Sequence, residues 1–105
     1  MEHLYKVSNP PIVLEQLKKH YRKELLPSTR KDKKYMVERH GKYIHFGSLL
    51  HEDYTKHKDE VRRLNYLKRA TKIKGDWKTN AFSPNFLSII LLWNGYEYLQ
   101  EMCII

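Results

Sequence analysis

Tyr35-Met-Val-Glu-Arg39, His40-Gly41, Lys42-Tyr-Ile-His-Phe46 is the stretch on which the fold turns. Two runs rich in β-branched and aromatic residues flank a dipeptide whose glycine takes the positive φ that a tight two-residue β-hairpin needs. Pairing Arg39 with Lys42 sets the register. It puts Val37 opposite Ile44 and Tyr35 opposite Phe46 on one face, with Glu38 opposite Tyr43 and Met36 opposite His45 on the other. One face is therefore apolar, and Gly47 ends the second strand.

Helical signals surround this hairpin. Ser8-Asn9 before Pro10-Pro11 starts a helix running to about Leu26; a polar cap precedes prolines whose fixed φ suits the first turn. Val13, Leu17, Tyr21 and Leu25 recur every four residues on one face, among lysines and arginines. Pro27 to Lys34 is charged and aperiodic, a linker. After the hairpin, a helix from about Lys56 to Lys74 carries Lys58, Arg62, Asn65, Arg69 and Lys72 at spacings of 4, 3, 4 and 3, so these share a face. Val61, Leu64 and Leu67 lie on another. Gly75-Asp76-Trp77 ends this helix, Ser83-Pro84 starts the next, and Asn94-Gly95 closes that one. Tyr96 to Ile105 is a final element of open type.

The expected fold class is α+β: a small single domain with a two-stranded antiparallel hairpin packed against about three helices, plus N- and C-terminal extensions. Residues 1–33 form a helical extension, 34–94 the core domain and 95–105 an apolar tail. The chain's 105 residues are one domain's worth. Its hydrophobic fraction of 41% and its four glycines and four prolines exclude a low-complexity chain.

Charge divides the sequence. Twenty Lys and Arg against twelve Asp and Glu give +8, and all twenty lie between Lys6 and Lys78. Beyond Lys78 the only charged residues are Glu97 and Glu101. That balance suits a polyanionic partner. The apolar run Phe86 to Trp93 stops after eight residues, short of the ~20 a bilayer span requires, so no transmembrane segment is expected. Met1 to Ser8 carries two charges and lacks the apolar stretch of a signal peptide. The single Cys103 allows no intramolecular disulfide and reads as a buried small apolar residue.

His45, His51, Asp53, His57 and Asp59 fall within fifteen residues, and a hairpin followed by a helix is also the scaffold of HNH-type nucleases. That chemistry needs a general-base histidine beside an open metal site. The asparagine of that motif is missing, and Asp53 four residues before His57 is an ordinary acidic start to a helix. The reading is accordingly no catalytic residue, no metal and no cofactor. Tyr21, Tyr35 and Tyr66 fall on packing faces, while Lys58, Arg62, Arg69 and Lys72 are candidate contacts for a polyanion or an acidic partner, because only Asn65 interrupts the cations.

From Lys34 to Asn94 the chain resembles a small uncharacterised family of basic proteins from large DNA viruses of eukaryotes. The residues that carry this are Lys34-Tyr35, Lys42-Tyr-Ile-His-Phe-Gly47, Asp53-Tyr-Thr-Lys-His-Lys-Asp59, Arg62-Arg63, Tyr66-Leu67, Trp77 and Leu92-Trp-Asn94. Members usually show Arg-His where this chain has Arg69-Ala70. The resemblance implies a virion setting, with host cytoplasm or nucleus before assembly. The expected function is then a non-enzymatic structural protein of the particle, a minor capsid or capsid-lining component. Phe86, Ile90, Trp93, Ile104 and Ile105 would contact other virion proteins. The alternative is a basic protein that binds the viral genome without sequence specificity.

Overall fold

The computed structural model describes residues 2–105. The hairpin forms as its register requires. Strands β2 (Lys33–Arg39) and β3 (Lys42–Ser48) are antiparallel, and all five expected pairs are present, Tyr35 with Phe46 through Arg39 with Lys42. His40 and Gly41 both take positive φ, 54° and 78°, the signature of a type I′ turn.

The sheet has three strands rather than two. A two-residue strand β1 (Leu26–Pro27) pairs with the other edge of β2, Leu26 beside Met36 and Pro27 beside Tyr35. Proline is tolerated there because an edge strand leaves one side of its backbone unpaired. This strand exists because the first helix, α1 (Pro10–His20), stops six residues before the expected end. Arg22 enters the left-handed region at φ 56°, and the Tyr21 and Arg22 amides close back on the Leu17 carbonyl. Leu25 therefore reaches the core from a loop rather than from the helix.

The long second helix is likewise divided. A single turn α2 (Tyr54–His57) ends at Lys58, left-handed at φ 54°, and α3 (Glu60–Ala70) begins anew with Asp59 as its N-cap. The Asp59 carboxylate accepts from the amides of Val61 (3.0 Å) and Arg62 (3.2 Å), a local signal strong enough to restart the helix. Short 3-10 turns lie at Glu2–Lys6 and Asp76–Thr79.

Helix α4 (Pro84–Leu91) is the centre of the molecule. Ser83 caps it by accepting from the Phe86 amide, and every residue from Phe86 to Leu91 is buried. Six consecutive helical residues can be buried on all sides only if several elements surround them; β3, α1, α3 and the 3-10 turn at Asp76–Thr79 all pack on α4. Asn94 is left-handed and the Gly95 amide closes on the Ile89 carbonyl at 2.8 Å, so Asn94-Gly95 terminates the segment as expected. The last element is a helix, α5 (Tyr96–Glu101).

Leu4, Val13 and Leu17 from the leading segment and Leu99 from the tail belong to the same core as Tyr35, Val37, Phe46 and Leu67. Both terminal segments are thus built into the domain. Cys103, expected inside, is exposed: it occupies the left-handed position (φ 60°) of the turn that ends α5, while its neighbour Ile104 folds back onto the core. On α3 Leu67 and Ala70 are buried; Val61 and Leu64 of the expected apolar face are exposed, because Arg63, Tyr66, Leu67 and Ala70 form the inner side.

A candidate anion-binding cleft

One side of α3 and the loop after β3 enclose a cleft of about 470 Å³. Arg62, Asn65, Tyr66 and Arg69 form one wall, residues Ser48 and His51 to Asp53 the other, and Ser88, Leu92 and Trp93 the floor, with Lys34 and Gly47 at the sheet end. Gly47 permits the close seam between sheet and α4. It sits at φ 83°, and a Cβ there would come within 2.8 Å of Leu92 Cδ1.

The sheet end is held by a buried polar network. Lys34 and Asp53 are 2% and 1% exposed, and the ammonium donates to the Asp53 carboxylate at 3.0 Å and to the Val7 carbonyl at 3.1 Å. Thr55 donates to the other Asp53 oxygen, Ser8 lies 3.3 Å from Thr55, and the Tyr35 hydroxyl donates to Ser8 at 2.8 Å. Burial holds Lys34 below lysine's ordinary range, with Asp53 opposing that shift, and burial pushes Tyr35 up. Asp53 occupies the N-cap position of α2 but makes no capping bond, because its carboxylate is already committed to Lys34 and Thr55.

The α3 wall supplies the cations. Arg62 reaches across to Glu52 at 3.7 Å, whereas Arg69 makes no ion pair among the described residues. Tyr66 stacks on Trp93 with ring centroids 4.1 Å apart and planes 8° from parallel. Burial raises its pKa to about 12, against the opposing effects of the neighbouring Ser88 hydroxyl and the Arg69 charge. Arg63 points the other way and is structural: it donates to the carbonyls of Trp93 (3.0 Å) and Asn94 (2.8 Å) and pairs with Glu60 at 2.6 Å. His57 lies beneath α3 against Trp93, its Nδ1 accepting from the Asp59 amide, while its buried Nε2 has no partner among the described residues. Burial, followed by Arg62, lowers its pKa.

Of the expected cationic set, then, Arg62 and Arg69 converge on one cleft, with the neutral Asn65 between them. Lys58 and Lys72 are exposed but lie outside it, since Lys58 precedes α3 and Lys72 follows its end, so the helical spacing does not extend to either. Phe86, Ile90 and Trp93, expected as contacts for other proteins, are only 3%, 2% and 9% exposed and are spent on this chain's own core. Ile104 is half-buried and Ile105 is exposed. The histidine and carboxylate cluster is dispersed: His45 bonds Ser28 at 2.7 Å, Asp53 pairs with Lys34 and Asp59 caps α3. Among the described residues no group of three His, Cys, Asp or Glu is placed to hold a metal, and no helix is long and apolar enough to cross a membrane. Sequence reading missed Lys34, Glu52 and Ser88. Lys34 and Asp53 lie nineteen residues apart, and no local pattern pairs them.

A family model described as a family of unknown function (DUF5754) matches residues 23–70, less than half of the chain, from just before β1 to the end of α3. No curated protein and no solved structure matches.

Proposed function

We propose that this is a non-enzymatic protein that binds the phosphate backbone of nucleic acid through the Arg62, Asn65 and Arg69 wall, without reading bases. The observation that supports it most is Arg69, an exposed guanidinium on a cleft wall with no carboxylate against it among the described residues. Planar guanidinium donors match phosphate oxygens in charge and geometry. The excess of +8 adds an attractive field around that wall. A large-virus genome, the setting implied by the resemblance, is a partner of this chemistry. The capsid-lining role expected first needs an exposed apolar contact surface, and most of the residues nominated for it are interior. Residence in a particle as a genome-contacting component remains part of the proposal.

The test is fluorescence anisotropy of labelled DNA with the full chain at about 50 and about 200 mM salt. Affinity should fall steeply with salt, with a slope of ~0.7–0.9 per neutralised phosphate. Arg62→Ala with Arg69→Ala should lower both affinity and slope while leaving the circular dichroism spectrum unchanged. No saturable binding at the lower salt, or equal binding by the double variant, would overturn the proposal.

A further inference from the structure

Building on the nucleic-acid reading, we infer that the cleft accepts one nucleotide of an unpaired strand, and that the protein therefore prefers single-stranded to duplex nucleic acid. Three observations carry this. The first is shape. A helix that enters the major groove presents its base- and phosphate-contacting residues along its outermost ridge. On α3 the positions most nearly opposite Leu67 and Ala70 are Asn65 and Val61, the latter 69% exposed; Lys68 flanks them on one side, and Arg69 and Arg62 flank them on the other, where they line the cleft. Cations inside a concavity are reached by a flexible strand that can splay out a residue, not by a stiff duplex.

The second observation is size. About 470 Å³ is in the range of small-ligand pockets and fits one nucleotide. The third is charge. Lys34, Arg62 and Arg69 contribute three positive charges to the lining and Glu52 and Asp53 two negative ones, a surplus of one. One uncompensated cation matches the single charge of a phosphodiester within a strand; a terminal phosphate carries close to two negative charges. Asn65 and Ser88 supply neutral hydrogen-bonding groups, and Tyr66 an aromatic edge beside them.

The experiment compares a labelled single strand of about twelve nucleotides, a length in the usual range for one such module, with the duplex of the same sequence. Wild type should bind the single strand at least about tenfold more tightly. Asn65→Leu, at an exposed position of the cleft lining, narrows the rim without adding a stacking surface; it should weaken single-strand binding severalfold and duplex binding less. Lys68→Ala, outside the cleft, should alter neither by more than about threefold. Duplex binding as tight as single-strand binding, or an Asn65→Leu variant that binds the single strand normally, overturns the inference while leaving the nucleic-acid reading intact. An oligo-glutamate peptide that competes as well as the single strand overturns it in favour of an acidic protein partner. Binding to neither nucleic acid overturns both readings together.

Discussion

Replacing Asp53 by Asn removes one charge from a pair that has no access to water. The Lys34 ammonium would keep the Val7 carbonyl at 3.1 Å and an amide oxygen in place of the carboxylate, with nothing to neutralise it at 2% exposure. Breaking a buried pair from one side costs ~3–5 kcal/mol, a large part of the ~5–15 kcal/mol that holds a domain of this size together. At ~4 °C per kcal/mol the expected fall in melting temperature is about 12–20 °C. Thermal unfolding followed by circular dichroism, with urea titration beside it, measures this directly. The loss should also depend on pH. Without Asp53, burial acts on Lys34 against Glu52 alone, holding its folded pKa below the ordinary 10.5, so the folded state favours the neutral amine. The deficit should therefore be full below the folded pKa and shrink as pH rises toward 10.5. Joint replacement of Lys34 by Met and Asp53 by Leu should recover most of the loss, since an apolar pair of similar volume often matches a buried ion pair. A single variant that loses less than ~1 kcal/mol would show that the pair is solvated and that the polar network beside the cleft is not closed.

Gly95→Ala should destabilise by ~1–3 kcal/mol in urea titration, because the new methyl would lie 2.5 Å from Ile89 Cγ2 and 2.9 Å from the Ile89 carbonyl oxygen. Asp59→Ala removes the cap that restarts the helix after Lys58 and should cost ~0.5–2 kcal/mol, read in the same assay, with the loss of helix signal confined to α3. Phe86→Ala should cost ~3–5 kcal/mol by the same measurement, since its ring is interior and not a docking contact. His57, whose folded pKa lies below the unfolded 6.5, disfavours the fold when protonated, so stability is retained above 6.5 and lost as pH falls from there through the folded value. His57→Gln should make that acid-side slope shallower in a series of melting curves; an unchanged slope would place the effect on His20 and His45, which burial also lowers.

The hairpin was legible because everything that sets it is local: a two-residue turn, strict alternation and one apolar face within twelve residues. Helix α4 was legible for the same reason, bracketed by Ser83-Pro84 and Asn94-Gly95. What escaped were breaks made by residues without a breaker's chemistry. Arg22 and Lys58 both adopt left-handed backbone at a position usually given to glycine or asparagine, and each divides what periodicity reads as one helix. Strand β1 follows from the first of these breaks. In the site, the 4-and-3 spacing found Arg62, Asn65 and Arg69, and it overreached at Lys58 and Lys72 because it presumed the helix continued. Burial of Phe86, Ile90 and Trp93 was misassigned for a different reason. An apolar side chain has the same sequence signature whether its partner is the same chain or another, and only the packing of α1, β3 and α3 around α4 decides it.

The polar network sets a timetable for folding. Ser8 and Thr55 are 47 residues apart, and the Val7 carbonyl must accept from both the Lys34 ammonium and the Asp53 amide before the network around the ion pair is complete. Closing so long a loop carries an entropic cost that the hairpin, closed over two residues, does not bear. The β2–β3 hairpin should thus acquire protected amides first, and the Asp53 amide, which donates to Val7, should be among the last in pulsed hydrogen exchange. During synthesis residue 55 must leave the ribosome before Ser8 and Asn9 can make their hydrogen bonds to Thr55, and until then the Lys34–Asp53 pair lacks the cover of the N-terminal segment.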